Sequence, residues 1–106
     1  MKIRFQRVKG TLGFAVSMKI IINGEVIYKI KNGEVFEYEA ENVESILIKT
    51  HRFINDLSIP VEDLEDSIDI LLQYQYGFCK NSTQAIVSGN GKLIGVYPQG
   101  MKEIKQ

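Results

Sequence analysis

The chain has 106 residues, of which 44% are hydrophobic and 25% are charged, and these values are typical of one soluble globular domain. Thirteen lysine and arginine residues balance thirteen aspartate and glutamate residues, so the net charge gives no reason to expect nucleic acid or an anionic membrane as the partner. The single cysteine excludes an intrachain disulfide, the single histidine excludes a His-rich metal site, and no apolar run approaches the roughly 20 residues of a membrane-spanning helix.

Period-two alternation predicts β-strands in the first half of the chain. Ile3 and Phe5 alternate with polar residues, and a longer apolar row follows a glycine-containing break at 9–13. The members of that row are Phe14, Val16, Met18, Ile20 and Ile22. The dipeptide Asn23-Gly24 then predicts a type I′ hairpin turn, because both residues tolerate the positive φ that this turn requires.

A second turn at 31–34 follows by the same mechanism, and the two turns together predict a three-stranded meander. The second strand of the meander is expected to carry Val26, Tyr28 and Ile30 on one face. The third strand is expected to place Phe36, Tyr38 and Ala40 inward and to expose Glu37, Glu39 and Glu41 to water.

Turn signals divide the second half of the chain into further strands. Residues 45–53 are predicted to form one of them. Proline cannot donate a hydrogen bond to a sheet, so Pro60 predicts that the strand around Leu57 and Ile59 is short and lies at a sheet edge. A final hairpin is predicted to turn at 89–92, and residues 98–106 are predicted to form a polar tail.

Residues 61–76 fit two patterns, which the residue types help to separate. A helix would have an apolar stripe made of Val61, Leu64, Ile68, Leu71 and Leu72. A strand would have an apolar face made of Ile68, Ile70, Leu72, Tyr74 and Tyr76. The tyrosines and β-branched isoleucines favour the strand, with a single helix as the alternative. The predicted fold is therefore all-β, with residues 1–97 forming one antiparallel two-layer β-sandwich of eight or nine short strands.

The segment 20–34 combines a strand, an Asn-Gly-Glu turn, a short strand and a second Asn-Gly-Glu turn, and an alternating strand follows at 45–50. This layout resembles the PEGA-like small β-sandwich modules of bacteria, and short bacterial proteins built like them, over about residues 14–53. The Pro-Glu-Gly-Ala motif is absent, and Ala40-Glu41-Asn42 stands where a glycine normally ends the third turn. The resemblance implies a non-catalytic accessory or interaction module and assigns no site residues.

Few groups in the chain are suited to catalysis, and each has a structural interpretation. His51 and Cys79 are the residues that a Cys–His nucleophilic pair would need, but they lie at a predicted strand end and in a predicted turn. The row of Glu37, Glu39 and Glu41 repeats about every 7 Å, a separation that suits glycoside hydrolysis. An exposed row of carboxylates is nevertheless typical of a solvated sheet face, so we expect no catalytic residue, metal or cofactor.

Charge is segregated along the chain although it sums to zero. Residues 1–31 hold seven basic groups and one acid, residues 32–69 hold eleven acids and two basic groups, and residues 70–106 hold four lysines and one acid. Because sequential strands are usually neighbours, these charges are expected to interleave and pair across the sheet. The expected pairs join Lys29 or Lys31 to Glu37 or Glu39.

The predicted function is that of a non-catalytic protein-interaction or structural module. Its partner is expected to be an unknown protein, or a second copy bound through edge strands, rather than nucleic acid or a membrane into which it inserts. The candidate interaction surface comprises Tyr74, Tyr76, Phe78, Glu37, Glu39, Glu41, Arg4 and Arg7. The alternatives are a small ligand-binding β-barrel and a small enzyme that uses His51 with Cys79 or the glutamate row. The amino-terminal alternation of charged and apolar residues is unlike a signal peptide, so a cytoplasmic location is expected.

Overall fold

The computed structural model of the protein describes residues 1–10, 17–50, 56–62, 64, 66–75 and 82–97. These residues form nine β-strands and no helix. The strands are β1 (Lys2–Arg7), β2 (Met18–Ile22), β3 (Glu25–Ile30), β4 (Val35–Glu39), β5 (Ile46–Lys49), β6 (Leu57–Ile59), β7 (Ser67–Gln75), β8 (Ser82–Gly89) and β9 (Lys92–Tyr97).

The nine strands form two sheets that pack face to face. One sheet has five strands in the order β4-β1-β7-β8-β9, and the other has four in the order β3-β2-β5-β6. The predicted all-β two-layer sandwich is confirmed. One pair departs from the antiparallel arrangement, because β1 runs parallel to β7. All four strands of the other sheet lie between β1 and β7 in the chain, so no short hairpin forces these two strands to be antiparallel.

The core lies between the two sheets and is built from alternate residues of each strand. In β1, for example, Ile3 and Phe5 are fully buried and Arg4 between them is exposed. Isoleucine dominates the core because its branched side chain packs well on a pleated surface. The buried apolar residues are Ile3, Phe5, Met18, Ile20, Ile22, Ile30, Ile46, Ile48, Leu57, Ile59, Ile68, Ile70, Leu72, Ala85, Val87 and Tyr97.

Two local predictions in the second half of the chain are confirmed. The segment that fitted both helix and strand contains β7, in which Ile68, Ile70 and Leu72 are buried and Asp69 is exposed. β7 lies between β1 and β8, so both of its edges are paired. The strand before Pro60 is β6, which has only three residues and lies at the edge of the four-stranded sheet.

The predicted meander is wrong in its third strand. β2 and β3 form the expected hairpin, with Asn23 and Gly24 at φ values of 55° and 81°. β4, however, crosses to the other sheet and pairs with β1. The crossing turn is held by the Asn32 side chain, which accepts from the Gly10 backbone at 3.0 Å and donates to it at 3.1 Å. A tight turn restricts the local chain but does not determine which sheet the next strand joins.

A stack of aromatic rings joins the two sheets at this crossing. Tyr28 of β3 and Phe36 of β4 have ring centroids 4.1 Å apart and ring planes within 4° of parallel. Phe36 also lies 6.3 Å from Phe5 and 6.2 Å from Tyr38, measured between ring centroids. The Tyr28 hydroxyl donates to Glu34 Oε2 at 3.3 Å. Burial, followed by the charge of Glu34, raises the pKa of Tyr28 above its ordinary value.

The aromatic stack predicts an energetic coupling between the sheets. A double-mutant cycle with Tyr28→Leu and Phe36→Leu, measured by urea unfolding, is expected to give a coupling of about 0.5–1.5 kcal/mol, because stacked rings interact beyond their area burial. A control cycle pairs Tyr28→Leu with Leu93→Ala, since Leu93 is an exposed residue of β9 at the other edge of the five-stranded sheet. A Tyr28–Phe36 coupling no larger than the control would contradict the role of the stack.

Candidate interaction surfaces

The residues that the sequence suggested for an interaction surface lie on different parts of the molecule. Arg4, Glu37 and Glu39 lie on the outer face of the five-stranded sheet, and the exposed Glu41 follows β4. Arg7 and Tyr74 instead line a small pocket. The remaining candidates lie outside the described residues and stay predictions: Tyr76, Phe78, His51 and Cys79.

Charges on β1 and β4 interleave on the outer face of the five-stranded sheet. The register places Arg4 opposite Glu37 and Lys2 opposite Glu39. Arg4 Nε lies 3.8 Å from Glu37 Oε2, and both side chains are exposed, so this ion pair contributes less than about 1 kcal/mol. Interleaving is therefore found here as predicted. The basic partners come from β1 and not from Lys29 of β3, because β4 has left the sheet that contains β3.

Arg7 is buried, which corrects its placement on the candidate surface. Its exposed fraction is only 2%, and its Nη1 donates to the backbone oxygen of Ile30 in the opposite sheet at 3.1 Å. Burial lowers the pKa of Arg7, while Tyr74 opposes that change; a guanidinium nevertheless stays charged at physiological pH. The sequence contains a signal for this burial, because alternation places Arg7 on the same inner face of β1 as Ile3 and Phe5.

The pocket beside Arg7 has a volume of about 190 Å³. Ligand sites typically have volumes of roughly 300–1,000 Å³, so this pocket is small for an organic ligand. Its lining includes Lys9, Asn32 and Gln73. The described strands also form two packed sheets rather than a closed barrel. The two packed sheets and this small pocket differ from the ligand-binding barrel that the sequence left as an alternative.

A row of three lysines crosses the outer face of the four-stranded sheet. The register places Lys19 of β2 opposite Lys29 of β3 on one side and opposite Lys49 of β5 on the other. Neighbouring strands are about 4.8 Å apart, and like charges directly opposite one another destabilise a sheet. Within the described segments, none of these lysines makes an ion pair. Charge is thus concentrated on this face, in contrast to the interleaving on the other sheet.

An aliphatic row lies beside the lysine row. Ile21 of β2 is opposite Val26 of β3 and Leu47 of β5, and Val26 is 50% exposed. Ile21 and Leu47 are partly exposed. We call the two rows together the lysine–aliphatic face. Its members are Lys19, Lys29, Lys49, Ile21, Val26 and Leu47.

A β-bulge in β3 completes the lysine row of this face and corrects the prediction that Val26, Tyr28 and Ile30 share one face of β3. The hairpin register shifts between Ile20, which is opposite Tyr28, and Ile21, which is opposite Val26, so Ile27 is an extra residue. Val26 keeps the place opposite the outward-facing Ile21 that a regular hairpin would give it, whereas Tyr28 and Ile30, beyond the bulge, are opposite the buried Ile20 and Met18 and face inward. The same shift places Lys29 opposite Lys19, which a regular hairpin would have paired with Tyr28. Lysine spacing alone could not reveal the row, because its alignment depends on the bulge.

Neither a scan against protein-family models nor searches of the curated proteins and of the solved structures found a match. The resemblance to PEGA-like modules therefore stays a prediction. Across the described segments, no group of three or more His, Cys, Asp or Glu residues is arranged to hold a metal ion. In the same segments the structure contains no helix with the length and hydropathy needed to cross a membrane.

The lysine row predicts that the centre of this face is not optimised for stability. The substitution Lys19→Glu places a carboxylate between two lysines and is expected to raise the free energy of unfolding by about 0.5–1 kcal/mol at low salt. The increase should shrink in 1 M salt, where charges are screened within about 3 Å. Lys92→Glu at the β8–β9 turn is the matched control. Equal effects of the two substitutions would show that the register of the lysines has no energetic consequence.

Proposed function

We propose that the protein is a non-catalytic interaction module that binds an acidic, amphipathic protein segment on its lysine–aliphatic face. The observation that carries the proposal is the alignment of Lys19, Lys29 and Lys49 across three adjacent strands. Their mutual repulsion is a cost to the free protein that a carboxylate-rich partner would relieve. Residues that reduce stability in this way are common where a surface is used for binding.

The geometry of the face fits a helix that lies across the strands. The lysines follow one another at about 4.8 Å, close to the roughly 5–6 Å between side chains three or four positions apart on a helix. Carboxylates at such positions would meet the lysine row. An adjacent stripe of apolar residues would then cover Ile21, Val26 and Leu47, which lie about 7 Å further along the strands.

The aliphatic row favours a protein over a nucleic acid or a lipid bilayer. Aliphatic side chains offer no hydrogen bonds or stacking to nucleotides, and the described part of this face carries no aromatic ring. Ile21 and Leu47 are only partly exposed on a sheet surface, whereas membrane-surface binding buries an apolar face about 5–10 Å deep. A partner with both carboxylates and apolar groups matches both rows.

The sheet edges are less suited to binding than this face, because each carries a feature that opposes strand addition. β3 has the bulge at Ile27, and β9 has a second register shift, which leaves Ile94 without an opposite residue. β6 has three residues followed by Pro60. β4 exposes Glu37 and Glu39. These features support a face-mediated contact over the edge-mediated contact that the sequence suggested.

A peptide-binding assay tests the proposal. The probe is a set of fluorescent 18-residue helical peptides with a glutamate stripe beside a leucine stripe, and scrambled peptides of the same composition are the controls. We expect the triple variant Lys19→Gln/Lys29→Gln/Lys49→Gln to bind the striped peptides about tenfold more weakly, since three exposed charge pairs at about 0.5 kcal/mol each give that factor. The readout is fluorescence anisotropy at low salt.

A second triple variant controls for net charge. Lys2→Gln/Lys31→Gln/Lys92→Gln removes three exposed lysines elsewhere and is expected to change the affinity less than threefold. Equal losses in both triple variants, or no binding of any striped peptide by the unchanged protein, would refute the proposal. Tighter binding to single-stranded oligonucleotides or to anionic phosphatidylserine vesicles than to the peptides would also overturn it.

A further inference from the structure

The outer face of the five-stranded sheet carries a second aliphatic row, independent of the lysine–aliphatic face. Leu71 of β7, Ile86 of β8 and Val96 of β9 are opposite one another on three adjacent strands. Gln6 of β1 and Val35 of β4 continue the row to the other edge. Val35 is 45% exposed. This face therefore presents apolar side chains outward, and it lies on the side of the sandwich opposite the lysine–aliphatic face.

A charged row lies beside this aliphatic row and has alternating sign. Arg4 of β1 lies between Glu37 of β4 and Asp69 of β7. Arg4 is within 4 Å of Glu37, and Asp69 makes no ion pair with any residue in the described part of the chain. Arg4 thus lies on the strand next to Asp69 but forms no ion pair with it within the same subunit.

We propose that this face packs against the same face of a second copy of the chain to form a symmetric dimer. A two-fold interface needs a surface that is complementary to itself. A two-fold axis parallel to the strands, between β1 and β7, places Arg4 opposite the partner's Asp69, and the symmetry repeats that pair. The same axis places Val35 opposite the partner's Ile86. The charged row then lies on the partner's charged row and the aliphatic row on the partner's aliphatic row.

The size of the face predicts a weak dimer. Four overlapping strands about 4.8 Å apart, with some six residues each at about 3.3 Å, give a contact of roughly 20 Å by 20 Å. Two such faces bury on the order of 800–1,000 Å² in total, below the roughly 1,200–2,000 Å² of stable complexes. We therefore expect the dimer to dissociate at micromolar rather than nanomolar concentration.

Sedimentation velocity between 1 µM and 1 mM protein tests the dimer and its register. Val35→Lys is expected to weaken the dimer at least tenfold, because it introduces an unpaired charge opposite Ile86. Leu93→Lys is the matched control and is expected to leave association unchanged, because Leu93 is exposed on β9, outside the four overlapping strands. Both positions are exposed, so neither substitution disturbs the core, and circular dichroism verifies that each variant is folded.

A charge swap tests the pairing of Arg4 with Asp69 directly. Arg4→Asp and Asp69→Arg should each be monomeric when alone, because each places like charges opposite one another twice. Mixing the two variants should restore a dimer, since both cross-subunit contacts then join opposite charges. A protein that stays monomeric at 1 mM would falsify the proposal. A dimer that survives Val35→Lys, or a mixture that does not associate, would place the contact elsewhere and equally overturn it.

Discussion

Each strand directs alternate side chains to opposite faces, and both the core and the two outer surfaces depend on this constraint. Where the alternation is unbroken, as in β1, it buries even a charged residue: Arg7 is in phase with Ile3 and Phe5, and its burial is made tolerable by a hydrogen bond to the opposite sheet. Where β3 inserts Ile27, the phase changes, so Tyr28 faces the opposite sheet although Val26, two residues before it, faces outward. The position of each side chain relative to this period decides whether it stabilises the fold or is available to a partner.

The existence and type of the strands could be predicted from the sequence, because alternation and turn residues act locally. The hairpin at Asn23-Gly24, the short edge strand before Pro60 and the strand in the ambiguous segment around Ile70 all follow from such local rules. The sheet that each strand joins could not be predicted. β4 leaves its hairpin neighbour and pairs with β1, while Phe36 stacks on Tyr28 across the sandwich, and β1 pairs with β7 in parallel. Those choices depend on contacts between residues that are distant in the chain.

The candidate surfaces could likewise be predicted only in part, because local patterns show which residues face outward but not which residues of different strands are aligned. That Lys19 and Lys49 face outward follows from alternation, but their alignment with Lys29 depends on the register of three strands and on the bulge. The charges that are segregated along the chain are also arranged differently on the two sheets. On one, Arg4 and Glu37 interleave; on the other, lysines lie together. The two outer faces therefore carry different charge patterns, which a zero net charge conceals.

The parallel pairing of β1 with β7 has a consequence for how the chain folds during synthesis. Phe5 of β1 pairs with Phe36 on one side and with Ile70 on the other, so β1 becomes an interior strand only after β7 has left the ribosome. Pairings of such high sequence separation form slowly, because the chain loses entropy in closing a long loop before any contact compensates for it. Until then one edge of β1 is unpaired, and an unpaired strand edge favours aggregation. An incompletely synthesised chain is therefore expected to aggregate more readily than the folded protein.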